Sequence, residues 1–587
     1  MLINKMKRKY SEISQEVLDE LINFETNNLV NVNEIYNYIN NDTLVDWLNL
    51  YHKKPVYNKV NPILNLTENF KKKLVEYIST NISPVTYISK NINTDMLNQT
   101  ILNMKKGVPL IYSAPLISVN YELSGVCDFL IRSDYINNLF DYNIKTREIN
   151  IPSPKLNTCF HYVILHTTYS TTFLNEKKEI KRIKNYLLCK LNMLNNILGN
   201  VQGYKPKYCL LLSRRSRIHE TQSYNCIKNI AKIDLSDLPN NIKRLCVDSI
   251  KWLRLVKMEG EKWSLYPMPS RKELFPNMCV DSGVWNQTKD EISKKIKDIT
   301  QIWNVSYNNK LLAFSKGIFS IKDNGCNSQN LGIKGKRSKL IDKIIMINNQ
   351  SKKLISHNKI KLRDVMLDKN NLYVDFETIS DLFSDFNHMP YNWSKECIFM
   401  IGVGYFTNNK WEYKNFTCEK LSHNEEFKIV NKFIEFIKQR ECTNILYWSA
   451  EKNIWKKMYN RQYQHNYKNN NFDNLLLILN SWPNEKNELI KWLDLYKFFI
   501  DNHVVIKDCY NYKLKSITNV LFSNQLITTN YDCECCSGME AQTQAWNLYR
   551  NHTDKILNTP IMKDIIKYNE IDCKILFELV CLIRKNV

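Results

Sequence analysis

The chain has 587 residues, with 82 Lys and Arg against 59 Asp and Glu, for a formal net charge of +23. At roughly 150 residues per domain this length predicts three or four domains, and the 44% hydrophobic and 12% aromatic content supplies real cores and excludes a disordered basic tail. No stretch approaches the ~20 apolar residues of a membrane span, and basic Met1 to Tyr10 is not followed by an apolar run, so neither membrane insertion nor secretion is expected. The charge excess most simply implies a polyanionic partner.

The 17 Cys are scattered rather than clustered, which fits free thiols in a reducing compartment, cytoplasmic or nuclear. Asn makes up about one residue in eight, while Gly and Pro are sparse at 13 and 15. That bias fits an AT-rich coding genome and, by analogy, a large DNA virus, which adds the viral factory or virion to the expected settings. It also produces sequons such as Asn65-Leu66-Thr67 and Asn415-Phe416-Thr417 by chance.

In chain order, residues 1–60 read as a helical N-terminal region, with amphipathic patterns at Ser11 to Phe24 and Val32 to Leu50. Residues 61–216 read as an α/β domain. A helix (Leu64 to Ile78) precedes strands at Val108 to Ile117, Val126 to Arg132 and Tyr162 to Tyr169; a second helix (Tyr186 to Leu198) and the strand Tyr208 to Leu212 follow.

Residues 217–368 read as a basic, helical connecting module. At its centre Leu331-Gly332-Ile333-Lys334-Gly335-Lys336-Arg337-Ser338-Lys339 leads into a helix, Ser338 to Ile347. A glycine turn entering a helix presents free backbone N–H groups to phosphate, and this one resembles a helix-hairpin-helix DNA-binding turn. Lys334, Lys336, Arg337 and Lys339 are thus nucleic-acid-binding candidates, although an ordinary lysine-rich helix entrance fits the same residues.

Residues 369–587 form the clearest segment. Strands are expected at Leu372 to Phe376, Cys397 to Tyr405 and Trp411 to Asn415, then a helix (Asn424 to Ile437), a strand (Asn444 to Trp448) and a helix from Lys452. On the first strand Asp375 and Glu377 stand two apart and therefore point to one face, with Val374 and Phe376 on the other. Two like charges beside a core repel unless a divalent cation neutralises them, and a solvated strand edge is the bland alternative. Near the terminus Tyr568 and Asp572 stand four apart on a helix, where a carboxylate can hold a metal while a phenol one turn away orients water.

Asp375-x-Glu377 and Tyr568-x-x-x-Asp572 resemble the first and third motifs of DEDD exonucleases, which have a ribonuclease H-like fold. More closely, the chain resembles RecB-family nucleases with a C-terminal ribonuclease H-like domain. The segments that carry this are Tyr373 to Thr378, Trp448-Ser449-Ala450-Glu451, Trp492 to Leu495, Leu514-Lys515-Ser516-Ile517, Gly538 to Ala541 and Tyr568 to Cys573. The resemblance implies an α/β multidomain protein: a PD-(D/E)xK-like α/β domain and a ribonuclease H-like α/β domain joined by the basic module. It implies metal ligands at Asp375, Glu377, Glu451 and Asp572, with Asp494 the runner-up for the fourth carboxylate or else a helix cap. The family's His before Trp-Ser is replaced here by Tyr447. Four carboxylates can hold two Mg2+ or Mn2+ ions about 4 Å apart, and Tyr568 would orient the attacking water. The implied activity is 3′-to-5′ hydrolysis of DNA, less readily of RNA.

In 61–216 the same resemblance equates Gly125 to Asp134 with the G-x-x-D strand, so Asp128 is its metal carboxylate. His166 and Thr168 then stand where the next strand should carry a carboxylate and a Lys. Lys71 and Lys190 replace a Glu and a Gln. This half reads as a degenerate nuclease domain kept for binding or architecture, unless Glu176 or Asp141 serves from another position. The competing function for the whole chain is a non-catalytic nucleic-acid-binding or packaging protein built on inactivated nuclease folds. Cys533-x-Cys535-Cys536 with Cys509 lacks zinc-ligand spacing and reads as loop thiols. Tyr447, Trp448 and Trp455 could stack bases but are spaced as core residues.

Overall fold

The computed structural model describes residues 29–55, 62–140, 146–219, 221–228, 230–351, 353–358, 370–393, 396–408, 410–441, 444–484, 490–533, 537–551 and 556–586. The helix expected at Ser11 to Phe24 lies outside the described residues, as do Asp141, the basic positions 359–363, Cys535 and Cys536. The fold is α/β and multidomain, in two compact units: residues 1–296 with 385–393, and residues 297–384 with 394–587. The segment 217–368, expected as one connecting module, is shared between them, and its first part contributes strands as well as helix. Among the described residues no helix is long and apolar enough to cross a membrane.

Runs of β-branched and aromatic residues build an eight-stranded sheet in the first unit. Its strands are β1 (Val30–Asn31), β2 (Thr86–Tyr87), β3 (Leu110–Ser118), β4 (Leu123–Arg132), β5 (Tyr162–Leu174), β6 (Tyr208–Ile218), β7 (Thr221–Ser223) and β8 (Ala231–Asp234). The order is β2-β3-β4-β5-β6-β7, with β1 added to β4 and β8 to β6. β4 runs antiparallel to β3 and β5, whereas β5 and β6 are parallel. That parallel step needs a crossover, supplied by α2 (Asn185–Gln202), which packs on β3, β4 and β5; α1 (Pro62–Asn81) packs on β5. Gly125 lets α2 approach β4, since a Cβ there would stand 2.6 Å from both Leu194 and Val32.

The helix expected over Val32 to Leu50 is broken into Tyr36–Ile39 and Leu44–Tyr51, with Asn41 at φ 58° between them. The break carries Asp42 to Lys289, where the two buried charges pair at 2.6 Å.

The second unit has a two-stranded ribbon of β9 (Ile355–Ser356) with β15 (Val505–Ile506) and a five-stranded sheet. The sheet strands are β10 (Leu372–Ile379), β11 (Cys397–Thr407), β12 (Lys410–Thr417), β13 (Asn444–Tyr447) and β14 (Lys491–Asp494), in the order β12-β11-β10-β13-β14. β11 runs antiparallel to both β10 and β12, whereas β10, β13 and β14 are parallel. Helices in this unit include α3 (Lys336–Gln350), α4 (His423–Gln439), α5 (Glu451–Lys468), α6 (Leu495–Asp501), α7 (Leu514–Ser523) and α8 (Pro560–Asn586). The period-two alternation of β10 sends Phe376 onto Phe433 and Trp455 of α4 and α5, while Tyr373 meets Phe577 of α8. Asp375 and Glu377 share Tyr373's parity and so face α8.

Candidate active site

Four carboxylates from three separated stretches of chain meet on the α8 side of this sheet. Asp375 and Glu377 come from β10, Glu451 opens α5 just after β13, and Asp572 stands in α8. Glu377, Glu451 and Asp572 are buried, and Asp375 is partly so. Burial, then the charges of Asp572, Glu377 and Glu451, hold Asp375 well above the usual carboxylate range. Glu377 is pushed up to about 8 by burial and then by Asp572, against a hydrogen bond from Asn569. Burial likewise raises Glu451 to about 8, opposed by backbone hydrogen bonds and reinforced by Asp494 and Asp572. Asp572 rises only to about 6, because hydrogen bonds from Tyr531 and Tyr568 and the charge of Lys515 offset its burial. The effect of each carboxylate on another marks them as one electrostatic cluster.

Two residues without an assigned role in the sequence hold this cluster. The Asn569 amide donates to Asp375 Oδ2 at 2.7 Å and to the Asp375 carbonyl at 3.3 Å, and its nitrogen lies 3.5 Å from Glu377 Oε1. Its own oxygen accepts from the Tyr413 hydroxyl at 2.9 Å. The Tyr531 hydroxyl donates to Asp572 Oδ1 at 2.5 Å, its ring lies 5.9 Å from that of Tyr568, and the Lys515 ammonium stands 5.2 Å over it. Asn569 and Lys515 lie inside motifs already noted in the sequence, whereas Tyr531 follows α7 in a loop with no local signature.

Asp494 has a different task. Its Oδ1 accepts from Lys497 N and Ser449 N, each at 3.1 Å, so it caps α6 and pins the turn that delivers Glu451. Ser449 takes a left-handed φ of 79°, and this tether holds it there. The capping alternative is therefore observed, and Asp494 also stands close enough to Glu451 to raise it, ahead of Asp572.

The donor set, three buried carboxylates and the partly buried Asp375, whose charges oppose one another, fits a hard divalent cation and its preference for oxygen. Among the described residues no trio of Asp, Glu, His or Cys side chains converges tightly enough to hold an ion as the side chains stand. The Asn569 amide and the Tyr531 hydroxyl each take one oxygen, of Asp375 and of Asp572, and so fix these carboxylates in orientation. Asp375, Glu377, Glu451 and Asp572 would hold the metal.

In the first unit Asp128 is saturated. Lys71 Nζ lies 2.8 Å from its Oδ1, while its Oδ2 meets His166 Nδ1 at 2.7 Å, Thr167 N at 2.8 Å and Thr167 Oγ1 at 2.9 Å. Burial alone would raise this carboxylate, but His166 and Lys71 hold it well below its usual range. Thr167, not Thr168, supplies the hydroxyl; Thr168 Oγ1 accepts from Ser170 N at 3.3 Å. Glu176 stands apart on the surface beside His219.

Lys334, Lys336, Arg337 and Lys339 are all exposed where the chain enters α3, with Gly335 at φ 73° as the N-cap. Tyr447 and Trp455 are core residues, and Trp448 packs on Tyr496 and Phe499. The Cys509 thiol is buried and donates to the Asn511 carbonyl at 3.0 Å; the described cysteines are free thiols. Neither the family models nor the curated proteins with which the sequence was compared match it, and the chemistry of the site rests on its own geometry.

Proposed function

We propose that the chain is a metal-dependent nuclease whose second unit hydrolyses nucleic-acid phosphodiesters, DNA above all, in the 3′-to-5′ direction. The observation that carries this reading is the gathering of Asp375, Glu377, Glu451 and Asp572 into one buried, mutually repelling cluster. No packing requirement explains four such carboxylates together, because each raises the cost of burying the others. The sheet order β12-β11-β10-β13-β14, with β11 antiparallel to β10 at its centre, supports the resemblance to ribonuclease H-like nucleases.

Mg2+ or Mn2+ bound by the four carboxylates would supply Lewis acidity to the phosphodiester and lower the pKa of the attacking water. The protein's own residues do the positioning. Asp375 and Glu377 are fixed by the rigid central strand, and Asn569 locks the Asp375 carboxylate in orientation. Tyr568, hydrogen-bonded to Asp572 one turn away, orients the water. Exposed Lys334, Lys336, Arg337 and Lys339 and the net charge of +23 attract the polyanion that the carboxylates alone would repel. For the first unit, the saturation of Asp128 by cations and N–H and O–H donors favours a binding or architectural role without catalysis.

The test is incubation of the full chain with 3′- and 5′-labelled single- and double-stranded DNA in Mn2+, beside the Asp375→Ala, Glu377→Ala double variant. Stepwise loss from the 3′ end by the wild type only is the expected result. Equal products from both proteins, or none from either, would overturn the catalytic reading in favour of the packaging one.

A further inference from the structure

The first unit carries an exposed array of aromatic rings that its core does not use. Tyr391 is 47% exposed and Trp393 54% exposed, yet the two rings are parallel within 3°, with centroids 5.9 Å apart. Tyr224 approaches Trp393 at 4.6 Å, and the Arg215 guanidinium lies 5.1 Å from the Tyr224 ring centroid. Large rings left half in water forgo the burial that ordinarily selects them, so a flat, half-open pair calls for a reason.

The array is presented rather than merely left over. Asn392, between the two exposed rings, is fully buried: its carbonyl accepts from Arg215 Nε at 2.8 Å and its amide donates to the Arg214 carbonyl at 3.2 Å. Asn392 N donates to the Tyr224 carbonyl at 2.9 Å, and Cys226 N donates to the Pro390 carbonyl at 3.0 Å. With the middle residue anchored inward, its neighbours two apart project outward together. Their order is thus fixed before any ligand arrives, which removes most of the entropy cost of stacking. Exposed cations stand on the elements that hold them: Arg217, two residues beyond Arg215 on β6, and Lys228, whose backbone N is tied at 3.0 Å to Asn225, the bridge partner of Tyr391.

We propose that Tyr391 and Trp393 form a stacking platform for unpaired nucleobases, so that the first unit grips a single strand. This rests on the nucleic-acid reading above and narrows it to strandedness. Every base has a π-face, whereas a duplex keeps its bases stacked on one another and offers none to the platform. Arg217 and Lys228 would meet the phosphates on either side.

Fluorescence anisotropy of the full chain in EDTA, with labelled oligothymidylate and with a blunt duplex as probes, tests the platform while cleavage is suppressed. Trp393→Ala and Trp393→Leu should each weaken single-strand binding by about tenfold or more. Trp393→Phe should retain most of the affinity, and duplex binding should be unchanged in all three. Equal single-strand affinity in Trp393→Ala and wild type, or an equal loss on both probes, would overturn the platform and leave the nuclease reading standing if cleavage in Mn2+ persists. Binding of neither probe by the wild type would overturn the platform and the nucleic-acid reading together. A Trp393→Leu protein that binds as the wild type does would show that apolar area, not planarity, matters, and would also end the proposal.

Discussion

Gly402 pairs with Asp375 across the β10–β11 ladder, and the space where its side chain would stand is filled by the amide of Asn569. A Cβ at this position would lie 1.5 Å from Asn569 Oδ1 and 3.0 Å from the Tyr413 hydroxyl. The missing side chain on one strand is therefore what lets α8 orient the carboxylate on the next. Gly402→Ala should cost about 1–3 kcal/mol in stability by overpacking and should sharply reduce Mn2+-dependent cleavage. Adding Asn569→Ala removes the clashing atoms, so the double variant should recover stability relative to Gly402→Ala without recovering activity. Additive losses in a denaturation cycle would show that the two residues do not compete for this space.

Four carboxylates that raise one another are a liability to the fold unless a cation neutralises them. Asp375→Asn keeps an acceptor for the Asn569 amide while deleting one of four like charges. In EDTA, at a pH high enough to ionise the cluster, it should raise the melting temperature by ~2–4 °C, corresponding to about 1 kcal/mol for a domain of this size. In Mn2+ the order should reverse, because the wild type gains binding energy that the variant cannot. Identical thermal shifts on adding Mn2+ to both proteins would count against Asp375 as a ligand.

Much of this arrangement was legible in the sequence, for identifiable reasons. β10 and its paired acids follow from period-two alternation, and Tyr568 and Asp572 share a face by helical spacing. The expected strands at Cys397 to Tyr405, Trp411 to Asn415 and Asn444 to Trp448 are found within a residue or two of their limits as β11, β12 and β13. What escaped depends on contacts distant in sequence. Gly402 is one glycine in an apolar strand until Asn569 arrives against it, and Tyr531 has no pattern around it that points to Asp572. Asp494 could be read as ligand or cap because both tasks need the same carboxylate at a helix start, and only the two N–H groups it accepts from separate them. Nothing in residues 385–393 marks them as part of the first unit, since Phe386 reveals its place only by packing on Phe70 and Tyr169.

Asp46 sets a pH dependence in the first unit. It is buried, accepts from Asn37 Nδ2 at 2.7 Å and Trp252 Nε1 at 2.8 Å, and burial pushes it up to about 7 despite both hydrogen bonds. A folded pKa above the unfolded value of roughly 3.9 means a contribution to stability that is fully present below that value. It falls away as pH rises from there and is gone once pH passes about 7, because the unfolded chain ionises freely while the folded state holds the buried acid protonated. Asp46→Asn should abolish this slope, so the stability difference between variant and wild type should move in the variant's favour by a few kcal/mol from about pH 4 to pH 8. A difference that stays constant over that range in urea titrations would mean that Asp46 remains ionised throughout.

Asp128 should matter to the fold and not to cutting. Asp128→Asn strips Lys71 and His166 of their shared anion, leaving a cation in a largely enclosed setting, and should cost on the order of 3 kcal/mol. Cleavage per folded molecule should match the wild type, since Asp128's carboxylate is taken up by donors within its own unit. Loss of Mn2+-dependent cleavage in a variant shown to be folded would restore a catalytic role to the first unit.

Tyr531 should tune how well Asp572 competes for a cation against protons. Its hydroxyl donates to Asp572 and, with Tyr568, keeps that carboxyl near about 6 rather than higher. Tyr531→Phe removes a hydrogen bond to a charged group, worth about 1.5–3 kcal/mol, so the Asp572 pKa should climb. At pH 8 the carboxylate is still roughly 40% ionised or more, so the apparent Mn2+ affinity should fall by no more than about threefold. At pH 6 protons should win, and affinity should drop by about tenfold or more relative to wild type. The acid limb of the cleavage profile should shift to higher pH in the same variant. Calorimetric titration of Mn2+ at the two pH values distinguishes this from a loss of packing, which would weaken binding equally at both.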